Sequence, residues 1–305
     1  MSARAILQFI AVVLIWGTTW IVIKDQLAVV HPSWSVAYRF LLAGSVLMGW
    51  CALRGEPLAF PRASLGFLAA FATLQFVMNF NFVYRAELYI PSGFLAVAFA
   101  LLMIPNAVLA RLVLGRRVTS RFLAGSALGV LGVGLLFGQQ LALPGDRNAT
   151  LLGLALTIAG VLSASVANVM QATPAATRFA VLPGLAWAML IGGALNALLA
   201  LVLAGPPQWD PRPDYALGLL YLGVFASAIA FALYFDLVRT IGPAEAAWTG
   251  VPIPILAMTI STLAEGYRWT VPAAIGAALA LVGLVVALRQ PRPAPAPAHS
   301  GRAGT

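Results

Sequence analysis

Apolar residues fall in ten long runs, near 6–23, 35–52, 65–83, 92–114, 122–137, 151–170, 182–203, 216–237, 244–263 and 271–288. A helix that crosses a bilayer needs roughly 20 mostly apolar residues, so each run predicts one crossing. The connections are short, and several carry turn-forming pairs: His31-Pro32, Glu56-Pro57, the stretch 204–213, and Ile241-Gly242-Pro243. None is long enough to fold as a soluble domain. The first residues, Met1 to Arg4 followed by an apolar run to Ile23, have the outline of a signal peptide. The run is long enough to span and lacks a small-x-small cleavage site, so a retained first helix is expected.

One segment occurs twice. Residues 115–137 and 266–288 align without a gap, sharing Gly115/Gly266, Arg117/Arg268, Thr119/Thr270, Gly125/Gly276, Leu128/Leu279 and Gly132/Gly283. Each copy is a short basic turn leading into an apolar helix that ends one half of the chain, so the sequence reads as two related halves. With five crossings per half, the second half lies inverted relative to the first, the arrangement used for alternating access. The expected fold is an all-α integral membrane protein with a first repeat at 1–143, an inverted second repeat at 150–288, and a disordered Pro/Ala tail at 291–305. Gly125, Gly129 and Gly132 in helix five, and Gly276, Ala280 and Gly283 in helix ten, bring backbones close. Those two helices are expected to form scaffold or a subunit contact.

Composition agrees: 61% of residues are apolar, 9% are charged, and the mean hydropathy is +0.94. A net charge of +9 could suggest nucleic acid, but the basic residues are scattered singly between apolar runs and form no phosphate-binding stripe. They orient the chain instead, because Lys and Arg resist translocation. With both termini cytoplasmic, the inner side receives Arg4, Arg54, Arg62, the cluster from Arg111 to Arg121, Arg178, Arg239 and the arginines beyond 288. The outer side receives Lys24, Arg85, Arg147, Arg212 and Arg268. The two basic turns then fall on opposite faces, as inversion requires. A single cysteine, Cys51, excludes an internal disulfide and a thiolate metal cluster.

The polar groups inside the spans carry the functional reading. Trp16, Thr19 and Trp20 share a face of helix one, either as a cavity wall or packed in the bundle with the threonines bonded to their own helix. Gln75, Met78, Asn79 and Phe82 share a face of helix three, with Asn81 on another; helix six has Ser165, Asn168 and Gln171; helix eight has Ser227, Tyr234 and Asp236. Amides in hydrocarbon need partners, and their recurrence in equivalent helices points to a shared polar chamber. Pro105 in helix four and Pro252 and Pro254 in helix nine are expected to bare the carbonyls of Leu101, Trp248 and Gly250 and to serve as hinges. Asp25, Glu87, Asp236, Glu245 and Glu265 lie near span ends, which gives little support to proton antiport. Arg39 is the only cation clearly within a span. Snorkelling is its simplest reading, and pairing with a substrate carboxylate or phosphate its sharper one. Glu265 and Arg268 have the spacing of a local ion pair. No catalytic or metal-ligand arrangement is present, so neither an enzyme nor a cofactor is expected.

These residues resemble the drug/metabolite transporter superfamily, in particular its ten-helix members with two EamA domains. The resemblance rests on Trp16-Gly17-Thr18-Thr19-Trp20, on Pro105 and Pro252/Pro254, and on the turn-plus-helix motif after helices four and nine. That family usually carries a Gly-Glu step there. Glu265 takes this role in the second half, whereas the first half has Gly115-Arg116. The resemblance implies an exporter of small metabolites in the bacterial inner membrane, with a cavity formed by helices one, three, four, six, eight and nine. Amino-acid exporters, including the aromatic amino-acid branch, are the class it suggests. In that reading Trp16, Thr19 and Trp20 form a wall, Asn79 and Asn168 orient polar groups, and Tyr234 and Trp248 close the chamber. The expected partners are a small-molecule substrate and the lipid bilayer, with no nucleic acid and the oligomeric state left open. Two alternatives stand beside it. One is an exchanger of phosphate-bearing solutes, which needs cations such as Arg39 or Lys24 in the chamber; the other is a non-transporting receptor or scaffold.

Overall fold

The computed structural model describes residues 2–115, 118–142, 146–241 and 246–288. Among these residues there is no strand, and ten helices are long and apolar enough to cross a membrane. They are α1 (Ala3–Gln26), α2 (Pro32–Leu53), α3 (Arg62–Ala86), α4 (Ser92–Leu114), α5 (Ser120–Ala142), α6 (Arg147–Gln171), α7 (Val181–Ala204), α8 (Pro213–Val238), α9 (Ala247–Ala264) and α10 (Val271–Leu288). The expected start of the ninth span at Ala244, the Arg116-Arg117 turn, the repeat boundary at Leu143 and the tail at 291–305 lie outside the described residues.

Local chemistry sets the helix ends. Pro32 occupies the first turn of α2 behind His31, whose Nδ1 accepts from the Ser33 N–H at 3.3 Å. Asp146 caps α6 by accepting from the N–H groups of Asn148 (2.8 Å) and Ala149 (3.2 Å). At the other ends, α4 stops at Gly115 (φ 67°) and α9 just before Gly266 (φ 66°). Left-handed backbone favours glycine, which accounts for this pair opening both copies of the repeated segment.

Two helix pairs form tight seams. In the α5–α10 pair, a Cβ built on Gly125 would lie 2.5 Å from the Gly283 carbonyl, and one on Gly276 would lie 2.7 Å from that of Gly132. The small residues expected to form scaffold thus join the last helices of the two halves within one chain. In the α2–α7 pair, Gly44 faces Ala186 and Leu190 while Gly193 faces Leu41. Between the seams lies an interior of buried rings, including Phe40, Phe76, Tyr84 and Phe94. The outer faces present large apolar side chains such as Leu53, Val202 and Leu263, which a bilayer covers without cost.

Irregular turns recur in corresponding helices. Helix α3 passes through a π segment at Thr73–Asn79 and α8 through one at Tyr221–Ile229. Helix α4 breaks at Leu101–Leu102, and α9 opens as a 3₁₀ turn, Ala247–Gly250, before Pro252. Two of the carbonyls expected to be bare are not: Leu101 O accepts from the Ile104 N–H at 2.9 Å and Trp248 O from the Val251 N–H at 3.1 Å. The chain tightens to i→i+3 bonds at each break, which restores partners that proline would otherwise remove.

The seam predicts a position-specific effect. Gly132→Leu drives a side chain into the backbone of Gly276 and Ala280 and is expected to destabilise the protein by roughly 1–3 kcal/mol or more. Gly134→Leu, in the same helix with nothing within 4 Å of its Cβ position, should leave the melting temperature in detergent unchanged.

Candidate functional site

A cavity of about 410 Å³ lies inside the bundle, a size suited to a small molecule. Its wall draws on the six expected helices and also on α2, through Arg39, and α10, through Leu284 and Leu288. Trp16, Thr19, Trp20, Asn79, Asn168, Tyr234 and Pro254 all line it. Trp248 does not, although its neighbours Ala247, Thr249 and Gly250 do, and neither Pro105 nor Pro252 reaches the wall. The cavity runs from the end where Asn168 is exposed to a deep end where Arg39 and Asn79 are only 3% and 4% accessible.

Trp16 is fixed in this wall. Its Nε1 donates to the Ala226 carbonyl at 3.1 Å, and its ring meets Phe231 and Tyr234 at centroid distances of 5.3 and 5.2 Å. Trp20 packs on Phe99 at 5.5 Å. The Thr19 hydroxyl bonds within its own helix, to Trp16 O at 2.7 Å, while Thr18 meets the Tyr221 hydroxyl at 2.6 Å. The π segments supply acceptors to side chains from neighbouring helices: Leu74 O to Ser163 (2.8 Å), Phe76 O to Asn196 (2.9 Å), and Ala226 O to Trp16. Three wall amides keep buried oxygens with no partner: Gln75 Oε1, Asn79 Oδ1 and Asn106 Oδ1. Asn106 had no place in the sequence reading. It stands next to Pro105, four residues beyond the break at Leu101–Leu102, and lines the cavity.

Arg39 does not snorkel. Its Nε donates to Ser227 Oγ at 3.0 Å and its Nη1 to the Tyr84 hydroxyl at 3.4 Å. The guanidinium also lies 4.7 Å from the Phe80 centroid and 5.4 Å from that of Phe40. These neutral donors, acceptors and ring faces hold it inside the bundle, and among the described residues no carboxylate lies within 4.0 Å of it.

Beyond the deep end lies a buried polar layer. Glu265 accepts from the Ser92 N–H (3.2 Å), the Ser92 hydroxyl (2.6 Å) and the Ser261 hydroxyl. The expected Glu265–Arg268 pair does not form, because the first-turn N–H of α4 offers the carboxylate a donor and a favourable dipole. Asn81 accepts from Ser33 (2.6 Å) and Arg85 (2.6 Å) and donates to Asn196 (2.5 Å), tying α3 to α2 and α7. The ammonium of Lys24 donates to the main-chain oxygen of Glu87, whose own carboxylate is fully buried with both oxygens unpartnered. Burial pushes the Glu87 carboxyl well above the usual carboxylate range, opposed by the positive charges of Lys24 and Arg39 and reinforced by Glu265. Its position near a span end was legible, but its burial depends on packing across helices.

A larger pocket, about 600 Å³, lies between α1, α2, α7 and α8 beside Trp50, Arg54 and the Arg4–Asp236 ion pair at 2.7 Å. The interior cavity is the better candidate because the guanidinium residue Arg39 and the amide residues Gln75, Asn79, Asn106 and Asn168 all line it.

The Glu265 cap predicts a local response. Glu265→Ala leaves the Ser92 N–H without its acceptor, a loss of about 1–3 kcal/mol. Amide exchange at the start of α4 should therefore accelerate by roughly tenfold or more in hydrogen–deuterium exchange. Glu265→Gln, which keeps an acceptor oxygen, should accelerate it less.

Comparison with known proteins places this architecture. A solved crystal structure of another protein superposes with a TM-score of 0.69 at 22% identity, covering 94% of this chain and 97% of the other, and so shares its fold. The uncharacterized inner membrane transporter YedA of Escherichia coli (strain K12) is 26% identical over 295 residues, 94% of this chain and 93% of YedA. A probable amino-acid metabolite efflux pump of the same organism is 23% identical over 294 residues, 94% and 95% of the two chains. The EamA-like transporter family matches at residues 3–138 and again at 151–289. A multi-pass helical membrane protein built around an interior cavity, this chain belongs to the EamA-like transporter family.

Proposed function

We propose that the protein exports amino acids or related small metabolites from the cytoplasm across the bacterial inner membrane by alternating access. The observation that carries this reading is the cavity itself: open near Asn168, closed at Arg39, and lined at its deep end by the buried polar residues Arg39 and Asn79. The relatives named as an efflux pump and as an inner membrane transporter support the class and the location.

The proposed frame is two five-helix repeats, 1–143 and 150–288, inverted with respect to each other. Support comes from the recurrence of π segments in α3 and α8, of breaks in α4 and α9, and of seams that pair α2 with α7 and α5 with α10. With both termini cytoplasmic, as the arginine bias favours, the end of the cavity lined by Asn168, Tyr234, Ala247 and Leu288 faces the cytoplasm. The layer of Glu87, Ser92 and Glu265 is then the outer seal. Opening it while the inner ends of α4 and α9 close at their Pro-bearing breaks exchanges access. Trp16, Thr19 and Trp20 form the wall and Asn79 and Asn168 the polar contacts, with Tyr234 near the inner mouth. The Trp248 role passes to its neighbours on the wall, Thr249 and Gly250. Pro105, Pro252 and Pro254 mark the hinges.

Two observations weigh against the alternatives. Among the described residues Arg39 is the only cation on the wall, since Lys24 lies outside it, and a phosphate dianion asks for more. The cavity beside Trp20 is what a receptor or scaffold would have no need to keep.

In proteoliposomes loaded with labelled amino acids, Trp20→Ala and Asn79→Ala should each slow counterflow roughly tenfold, the scale of one lost contact of about 1–1.5 kcal/mol, while eluting as monodisperse protein. Unchanged counterflow in both variants would contradict the assignment.

A further inference from the structure

We propose that the pocket beside Trp50 binds one phospholipid whose headgroup carries both a phosphate and a primary ammonium, the phosphatidylethanolamine type. The pocket shares no lining residue with the central cavity, and its occupation is independent of the transport reading.

The shape of the pocket selects a lipid. Helices α2 and α8 touch where a Cβ built on Gly223 would lie 2.7 Å from Leu42. On both helices the pocket lies C-terminal to that contact, with Val46, Trp50 and Arg54 on α2 and Val224, Ala228 and Asp236 on α8. Six crossings apart, the two helices run in the same direction, so the space between them is a wedge that ends at the membrane boundary, where Arg54 caps α2. From Val46 to Arg54 it follows about 12 Å of helix. Val46, Trp50 and Ile229 also appear on the outer surface, 37%, 49% and 37% accessible, so the wedge opens toward lipid. An empty wedge would forfeit dispersion contacts along its apolar lining. An acyl chain is the group that a bilayer supplies at that depth.

The charges at the mouth select the headgroup. Four charged residues line it, two of each sign: Arg4, Arg54, Glu56 and Asp236. Asp236 is already held by Arg4 Nη2 at 2.7 Å and by Gln8 Nε2 at 2.6 Å. The Arg4 side chain is 77% exposed, which leaves its Nε and Nη1 able to meet a second anion. Arg54 lies over the Trp50 ring at 5.0 Å, and among the described residues neither Arg54 nor Glu56 forms an ion pair. One cation and one anion therefore remain unspent. A phosphodiester meets Arg54 and the free N–H groups of Arg4, and an ammonium with its three donors meets the Glu56 carboxylate. A glycerol headgroup brings no cation for Glu56, and a choline headgroup has no N–H to donate.

Native mass spectrometry of the purified full-length protein in mild detergent tests this, with dioleoyl phosphatidylethanolamine, phosphatidylglycerol and phosphatidylcholine titrated separately. The wild type should retain one phosphatidylethanolamine at least tenfold more tightly than either of the others, the scale of a hydrogen bond to a charged group. Arg54→Gln should weaken all three lipids about tenfold, because the phosphate is common to them, whereas Glu56→Gln should erase the preference for phosphatidylethanolamine. Ala232→Trp, which fills the wedge, should abolish retention of all three. The two rim positions lie at the end of α2 and beyond it, so the test does not depend on the folding of Ala232→Trp. Equal retention of phosphatidylcholine, tighter retention of phosphatidylglycerol, or a preference that survives Glu56→Gln would overturn the inference. So would displacement of the lipid by an equal concentration of glycerophosphoethanolamine, which has the headgroup without the chains.

Discussion

In a bilayer interior, where water does not reach, a polar group without a partner costs several kcal/mol; that constraint sorts the polar atoms of this chain. The π segments of α3 and α8 present carbonyls that regular helices would keep, and Ser163, Asn196 and Trp16 reach across from other helices to use them. Ser33, Asn81, Arg85 and Asn196 satisfy one another in a single cluster. Some unpartnered atoms are isolated, such as Trp34 Nε1 and Ser126 Oγ, but Gln75, Asn79 and Asn106 converge on one cavity that also holds Arg39. On the transport reading proposed above, this convergence marks a binding chamber and sets it apart from a set of interhelical staples.

The same economy of contacts divides the bundle into stiff and yielding parts. Where α5 meets α10 and α2 meets α7, glycine brings backbone against neighbouring helix, and little can slide without a clash. By contrast, α4 and α9 each contain a short turn held by i→i+3 bonds beside the cavity. These turns need only small dihedral changes to redirect the helix beyond them. Glu265 of the second half bonds to the first turn of α4 in the first half, so the polar layer beyond the deep end is a contact between the halves. In the proposed transport cycle, motion of α4 relative to α9 and the opening of that layer would be mechanically linked through this contact.

Much of this was legible in the amino-acid order. Apolar run length located all ten helices, because a membrane-spanning segment has few alternatives. The Gly115 and Gly266 pair marked the repeated turn because left-handed backbone demands glycine in both places. Helical spacing alone put Trp16 and Trp20 on one face of α1 and Gln75 and Asn79 on one face of α3, but it could not tell a cavity wall from packing inside the bundle. The π segments left no trace in residue spacing, since an extra residue per turn has no composition of its own. Arg39 could not be placed either: an arginine one turn inside a span has the same local sequence whether it snorkels outward or is clamped between Phe40 and Phe80. Glu265 looked paired with Arg268 because sequence reveals neighbours three residues away, but not the N-terminus of α4 contributed by the other half.

The central claim is an interior chamber reached from one face and shut at the other, and a single cysteine probes it most directly. Ala96 lines the deep wall at 2% accessibility, and the native Cys51, buried in α2, is removed as Cys51→Ser. In oriented vesicles of that background, Ala96→Cys should react with a small membrane-impermeant thiol reagent only from the side bearing the N-terminus. Added amino acid should slow the reaction, and turnover should open the opposite side to it. Reaction from neither side, or from the opposite side in the resting protein, would contradict the account.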